Sequence, residues 1–298
     1  MGRGRPVHRL RRSVAAGCLL ASCVVWLAGA TAAGRAAGSS RGPARSSVSA
    51  VRQGDTVRVL QFNLCDSGIA GCFTGRSVSV AADVIRDERP DVVTLNEVCR
   101  EDVSVLARAM SAARRGSGVA SAFKAAVDRR TGDPFRCLNG QQYGIGLLAL
   151  DASATSGYRT YDGLYPIQDL ADPEERVWLC VDARADLLAC TTHTASTNVA
   201  VALAQCRLLL SSAQPMERSQ AGDAAVILGA DLNLPADQWP GPQLCLPQGY
   251  QRTDDGSRQD IVTSPGIAVR SHTVIDMRGA TDHPGLLADL TLLGSAGG

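Results

Sequence analysis

From Val57 onward, short apolar runs rich in β-branched residues alternate with segments of helical spacing. Val57–Phe62 reads as a strand, and Ser77–Arg89 as a helix with Val78, Ala81, Ala82 and Ile85 on one face. Asp91–Leu95, preceded by Pro90, is a second strand, and Glu101–Ala113 a second helix through Val105, Leu106 and Ala109. Ala120–Val127 and Tyr143–Leu150 are strand-like. Arg176–Ala183 and Leu187–Thr194 flank Arg184-Ala185-Asp186, the pattern of a hairpin. Thr197 is placed to cap a third helix reaching Gln214, with Val201, Leu203, Cys206, Leu209 and Leu210 inward. Ala224–Leu228, Asp260–Thr263, Ile267–Val274 and Leu286–Leu293 complete the strands. Many strands and few helices, with no internal repeat, predict a sheet-dominated α/β sandwich.

The apolar runs repeatedly end in polar residues able to bind a metal or move a proton. Val59-Leu60-Gln61-Phe62 ends in Asn63, and Val92-Val93-Thr94-Leu95 in Asn96-Glu97. Leu187–Thr192 ends in His193, and Val226-Ile227-Leu228-Gly229 leads through Ala230 into Asp231-Leu232-Asn233. Asp260 opens a strand, and Thr281-Asp282-His283-Pro284 precedes the last one. Taken singly, each has a bland explanation: a turn asparagine, a capping acid, a hydrogen-bonded histidine. Their succession at one strand end after another argues for a shared site.

Charge sharpens this reading. The chain of 298 residues has a formal net charge of +1, but the charge is segregated. Residues 1–52 hold nine arginines and no acid, leaving 21 basic and 29 acidic residues, net −8, from Gln53 onward. An acidic domain does not hold nucleic acid by a general positive field, so phosphate chemistry there calls for a bound cation. Lys124 is the one lysine beside 29 arginines, which reads as coding bias. The basic start, the apolar run of 17 residues from Val14 to Ala30 and the small residues after it read as a signal peptide over residues 1–33. Leu20-Ala21-Ser22-Cys23 offers a lipoprotein alternative and Arg11-Arg12 a hint of twin-arginine export. Residues 34–53, rich in Gly, Ser and Arg, read as a flexible tether, leaving 54–298 as one domain. Eight of the ten cysteines lie beyond the leader, an even number that in an exported chain points to disulfides. No C-x-x-C pair supports zinc. Folding the hairpin about Ala185 sets Cys180 opposite Cys190. Cys65–Cys72 is a plausible short-range pair, and Cys99–Cys137 and Cys206–Cys245 follow by elimination.

The ordered set Gln-Phe-Asn63, Leu-Asn-Glu97-Val, Thr-His193-Thr-Ala-Ser, Gly-Ala-Asp231-Leu-Asn233, Asp260-Ile-Val and Thr-Asp282-His283-Pro resembles the endonuclease/exonuclease/phosphatase superfamily over Val57 to Leu293. The resemblance implies a four-layer α/β/β/α sandwich with two mainly antiparallel sheets face to face. It implies phosphoester hydrolysis assisted by Mg²⁺ or Mn²⁺, with Ca²⁺ possible as a structural ion. Glu97 would bind the metal, with Asn63 and Asp282 completing or adjoining that site. Asp231 would take a proton from, or orient, the attacking water. Asn233, two residues on along an extended segment, would point the same way. His193 and His283 would stabilise developing charge and protonate the leaving group, with Asp260 bonded to the far nitrogen of His283.

Two departures stand out. Deoxyribonuclease-like members support the first histidine with an acid, yet no Glu lies between Ser117 and Leu150, which leaves Asp128 or Asp133. Cys65 stands where some members place an acid near the metal. The expected substrate is a phosphodiester, nucleic acid favoured over lipid head groups, with no stable protein partner and a monomeric chain. Arg100, Arg129, Arg130 and Arg136 are candidate phosphate contacts, although the last three read more naturally as solvated arginines. The aromatic cluster Tyr158–Tyr165 offers either base stacking or, by default, a packed loop. Trp239 is the one suggestion of a lipid-facing residue. The alternatives are a sphingomyelin or phospholipid phosphodiesterase and a non-catalytic secreted binding module. A module freed from turnover has no need of all five of Glu97, His193, Asp231, Asn233 and His283.

Overall fold

The computed structural model of the chain describes residues 54–150, 158–184, 187–218 and 224–293. The leader and the tether lie outside these residues, as does the hairpin pivot Ala185. The order is β1 (Thr56–Asn63), α1 (Ser77–Glu88), β2 (Val92–Cys99), α2 (Arg100–Ala113), β3 (Val119–Ala125), β4 (Val127–Asp128), β5 (Tyr143–Leu150), β6 (Thr160–Leu164) and β7 (Glu174–Glu175). It continues with β8 (Val177–Arg184), β9 (Leu187–His193), α3 (Val199–Arg218), β10 (Ala225–Asp231), β11 (Gln251–Asp254), β12 (Gln259–Thr263), β13 (Ile267–Ile275) and β14 (Gly285–Leu292).

One six-stranded sheet runs β13-β14-β1-β2-β5-β3, and a second runs β11-β12-β10-β9-β8-β6. Strand alternation sorts the apolar side chains into three layers. Val57 and Val59 of β1 meet Leu179, Ala189, Ile227 and Ile261 between the sheets. Leu60 and Phe62 turn outward onto Ile85 of α1 and Leu106 of α2. Leu188, Leu228 and Val262 of the second sheet turn outward onto Leu209 and Leu210 of α3. The result is the expected α/β/β/α sandwich.

Each sheet contains one parallel pair joined through a helix: β1 with β2, and β9 with β10. The other pairs within the two sheets are antiparallel. In parallel pairs the carboxyl ends lie side by side, with Asn63 opposite Asn96 and Asp231 opposite His193. That topology is why the polar ends of distant apolar runs gather at one edge.

Local differences from the expected elements have simple causes. Thr197 does not cap α3: its hydroxyl donates to Asp169 Oδ2 at 2.6 Å, and Asn198 Oδ1 accepts the N–H of Val201 at 3.2 Å. The aromatic segment contains the edge strand β6, and Tyr165 beyond it is buried, its hydroxyl donating to Thr192 Oγ1 at 2.9 Å. Tyr158 donates to the Ser121 carbonyl. Tyr165 is thereby withdrawn from any stacking surface.

All four expected disulfides are present: Cys65–Cys72, Cys99–Cys137, Cys180–Cys190 and Cys206–Cys245. Cys180 and Cys190 are direct cross-strand partners. Cys206–Cys245 anchors α3 to the segment after β10 across a separation of 39 residues. Replacing both cysteines by alanine is expected to cost about 2–5 kcal/mol, read as a lowered denaturation midpoint against the oxidised protein. No helix among the described residues is long and apolar enough to cross a membrane.

Candidate active site

Three residues at the sheet edge have left-handed backbone without being glycine: Cys65 (φ 45°), Glu97 (φ 53°) and Asn233 (φ 50°). Such conformations cost free energy and persist where surrounding contacts enforce them, often at functional sites. At Glu97 the pairing of β2 with β5 shifts between Leu95 and Val98, a bulge that re-aims the side chain. The Glu97 carbonyl accepts the N–H of Asp66 at 2.9 Å.

Asn63 lies between the sheets' carboxylates. Its Nδ2 donates to Glu97 Oε1 at 2.8 Å and to Asp231 Oδ2 at 2.9 Å. Its Oδ1 accepts the N–H of Cys65 at 3.1 Å. Asn63 therefore belongs to the site as a bridge that aims two carboxylates, and its amide oxygen is turned to the backbone. Asp231 also accepts from Gln259 Nε2 at 3.0 Å through Oδ2, and from the Asn233 N–H at 3.0 Å through Oδ1. His283 Nε2 stands 3.6 Å from Asp231 Oδ2 and 3.9 Å from Asp282 Oδ1. Asn233 shares the cleft with Asp231 through a left-handed turn, where an extended segment was expected. Its Oδ1 accepts from Arg258 at 3.0 Å.

Glu97, His193, Asp231, Asn233, Asp282 and His283 line one cleft of about 360 Å³. Burial pushes Glu97 above the ordinary carboxylate range, and Asp231 and Asp282 add to this against the opposing hydrogen bond from Asn63. Cys65 and Cys72 lie near Glu97, but their sulfurs are joined to each other and are not thiolate ligands.

Asp260 is the predicted site residue that the structure places elsewhere. Strand alternation gives the reason: Ile261 faces the inter-sheet core and Val262 faces α3, so Asp260 shares the outward face of Val262. Its Oδ1 accepts from Arg252 Nε, and no hydrogen bond joins it to His283 among the described residues. Burial pushes its carboxyl up to about 8, against the neighbouring Arg252. Gln259, one residue earlier, takes the position facing Asp231.

A polar layer beneath the cleft is a further part of the site that the strand-end pattern does not announce. Gln61 Nε2 donates to Asn96 Oδ1 at 2.7 Å and to Gln259 Oε1 at 2.9 Å. Asn96 Oδ1 receives the N–H of Asp231 at 2.7 Å, and Asn96 Nδ2 reaches the Thr192 carbonyl at 3.0 Å. Buried amides thus cross-link the two sheets where the carboxylates meet. Gly229 permits the approach, because a Cβ there would stand 2.1 Å from Thr94 Oγ1. Polar letters at inward positions of β1, β2 and β12 were the available signal.

Among the described residues no acid supports His193 Nδ1, and the acid beside the ring is Glu97, whose Oε1 lies 3.8 Å from Nε2. Asp128 is held by Arg130, and the group on His193 Nδ1 is Arg176 Nη1 at 2.8 Å. Arg176 is buried against Asp172 (2.8 Å) and Glu174 (3.2 Å). Burial pushes Glu174 up to about 7, with Arg176 opposing. Burial, and then the neighbouring Arg176, hold the His193 imidazole well below its ordinary value. The four candidate phosphate arginines are engaged elsewhere: Arg100 lies over Phe123 and on Gln142, Arg129 on the carbonyls of Asp169 and Asp172, Arg130 on Asp128, Arg136 on the Gly140 carbonyl. Arg176 and Arg258 are the arginines lining the cleft.

Paired carboxylates, bridging amides and two imidazoles at the edge of an α/β/β/α sandwich define the class of phosphoester hydrolases with this architecture. The sequence model of the Endonuclease/Exonuclease/phosphatase family matches residues 74–283, and the chain belongs to that family. Its superfamily comprises hydrolases of phosphoester bonds that generally use divalent metal ions. No curated protein matches the sequence. Among solved structures, an endonuclease/exonuclease/phosphatase from Beutenbergia cavernae is similar at 20% identity and TM-score 0.59, over 80% of this chain and 72% of that one. A mannosyl-6-phosphatase from Bacteroides thetaiotaomicron is similar at 12% identity and TM-score 0.57, over 79% and 99%. TDP2 from Caenorhabditis elegans is similar at 15% identity and TM-score 0.53, over 80% and 75%.

Proposed function

We propose that this chain is a secreted, divalent-cation-dependent phosphodiester hydrolase of nuclease type. The observation carrying this reading is the convergence of Glu97, His193, Asp231, Asn233 and His283 on one cleft, with Asn63 bridging two of the carboxylates. Four disulfides fit an extracellular protein, consistent with a signal over 1–33, a tether over 34–53 and a catalytic domain over 54–298.

The residues fit a hard cation. Glu97 is a desolvated carboxylate raised further by Asp231 and Asp282, an arrangement that a divalent ion would relieve. Glu97 would hold it, with Asp282 at the rim, and Mg²⁺ or Mn²⁺ suits the oxygen donors. When bound, the ion would polarise a phosphate oxygen and offset charge on the leaving oxygen. Asp231, held by three N–H donors, would orient the attacking water and accept its proton as the new P–O bond forms. His283, beside Asp231, would give a proton to the departing oxygen as the old P–O bond breaks. Arg258, anchored on Asn233, would contact a non-bridging phosphate oxygen. Arg258→Ala is expected to lower kcat/KM by about 10–100-fold, the value of a charge-assisted hydrogen bond, in steady-state assays on a diester dye.

One observation favours a second reading. Ile69 (63% exposed) and Leu138 (76% exposed) belong to two loops in contact beside the mouth, since a Cβ at Gly68 would stand 2.8 Å from Leu138 Cβ. An apolar rim of this kind suits a lipid head-group phosphodiester. The deciding experiment assays plasmid DNA and sphingomyelin liposomes side by side with Mg²⁺ or Mn²⁺, together with a diester dye. DNA cleavage upholds the nuclease reading, and liposome cleavage alone replaces it with the second. No hydrolysis of any of the three overturns the enzymatic reading.

A further inference from the structure

We propose that Arg176 is a positioning residue that fixes His193 as a neutral imidazole with its proton on Nε2, making His193 a hydrogen-bond donor to the phosphate and leaving proton transfer to His283. This inference rests on the site reading above.

Donor chemistry sets the tautomer. A guanidinium carries five N–H donors and no acceptor. Arg176 Nη1 lies 2.8 Å from His193 Nδ1, so that nitrogen must present its lone pair. A neutral ring with an unprotonated Nδ1 carries its hydrogen on Nε2. Nε2 is the nitrogen on the cleft side, 3.8 Å from Glu97 Oε1. A carboxylate in the place of Arg176 would impose the reverse: it accepts from Nδ1–H and favours the charged ring.

The guanidinium is fixed independently of His193. It is 4% exposed, with Nη2 donating to Asp172 Oδ2 at 2.8 Å and Nη1 lying 3.2 Å from Glu174 Oε1. The Arg176 N–H donates to Gln168 Oε1 at 2.8 Å, and its carbonyl accepts from Gln168 Nε2 at 2.9 Å. Two acidic side chains therefore hold the guanidinium, and one side-chain amide clamps its backbone. His193, at the end of β9, lies against a group that arrives from the β7–β8 junction with its geometry already set. The chemical consequence is a division of labour. His193 donates Nε2–H to a non-bridging oxygen and keeps its proton throughout, while His283 supplies the proton that leaves with the alcohol.

The test is a long-range ¹H–¹⁵N correlation spectrum of the purified protein labelled at histidine, recorded at neutral pH without metal and assigned with His193→Gln. The expected His193 signature is an unprotonated Nδ1 and a protonated Nε2. An Nδ1–H tautomer or an imidazolium overturns the proposal, and this measurement needs no Arg176 variant to fold. In a second arm, Arg176→Lys keeps a cationic donor and is expected to retain the Nε2–H signature. Arg176→Met with Glu174→Gln removes the donor together with one of its counter-charges. It is expected to show mixed tautomers and a kcat lowered about 10–100-fold, typical for loss of a group that orients a ligand or catalyst, with KM changed less. A folded double variant with an unaltered signature and unaltered kcat overturns the positioning role. If the wild-type protein hydrolyses none of the three substrates above, the enzymatic reading fails while the tautomer assignment stands or falls on its own spectrum.

Discussion

Asp231→Asn is expected to reduce turnover of a phosphodiester by about 10²–10⁴-fold, the range for loss of general base catalysis, while the protein stays folded and still responds to the cation. The carboxylate has one oxygen shared by Asn63 Nδ2 and Gln259 Nε2, and the other taken by the Asn233 N–H. An amide can accept on one side only. If its oxygen meets Asn63 and Gln259, its NH₂ faces the Asn233 N–H, and donor opposes donor. The variant should therefore also lose about 1–3 kcal/mol, the cost of an unsatisfied buried donor. At roughly 2–4 °C per kcal/mol for a domain of this size, its melting temperature should fall by several degrees. The two effects separate in measurement. Single-turnover rates read the base, and melting reads the amide mismatch. A folded Asp231→Asn protein with wild-type single-turnover rates would remove Asp231 from the chemistry.

The residues that were legible share a position. Asn63, Glu97, His193 and Asp231 close apolar runs at the carboxyl ends of two parallel pairs, where topology brings them together whatever the loops do. Asp282 and His283 reach the same cleft because they lie just ahead of β14, the neighbour of β1. Asp260 failed because ionisability was read in place of face. Counting by two from Ile261 reaches Gln259, a neutral residue, and leaves Asp260 outside. Gln61 and Asn96 were hidden as polar letters inside strands, where their value depends on facing a second sheet. Arg176 was out of reach for another reason. Its role comes from the 160–177 segment returning beneath His193, a tertiary contact that no local spacing announces. The same holds for Arg258: proximity in sequence to Glu97 made Arg100 a candidate for phosphate, while Arg129, Arg130 and Arg136 already read as solvated, and nothing local singled out Arg258.

Glu97→Gln is expected to abolish the response to divalent cations, and to do so without lowering the stability of the metal-free protein. In the wild type, Glu97 is desolvated and repelled by Asp231 and Asp282, so in the absence of a cation its charge opposes folding. Neutralising it removes that penalty, and the glutamine oxygen still accepts from Asn63 Nδ2 as Glu97 Oε1 does. The metal-free variant should melt at or above the wild type. Adding Mg²⁺ or Mn²⁺ reverses the ranking. A cation at about 100 times its dissociation constant stabilises a folded protein by about 2.7 kcal/mol. At 2–4 °C per kcal/mol, this raises the wild-type melting temperature by roughly 5–10 °C. The variant should show little shift, and chelation should return the wild type to its metal-free value while stopping hydrolysis. Scanning calorimetry with and without cation gives all four numbers. An equal shift in wild type and variant would place the cation elsewhere, and a metal-free variant much less stable than the wild type would make Glu97 a structural residue. A shift confined to the wild type ties the left-handed backbone at Glu97, the bulge that re-aims it and the Asn63 bridge to one purpose: holding a carboxylate where a cation, and not the fold, needs its charge.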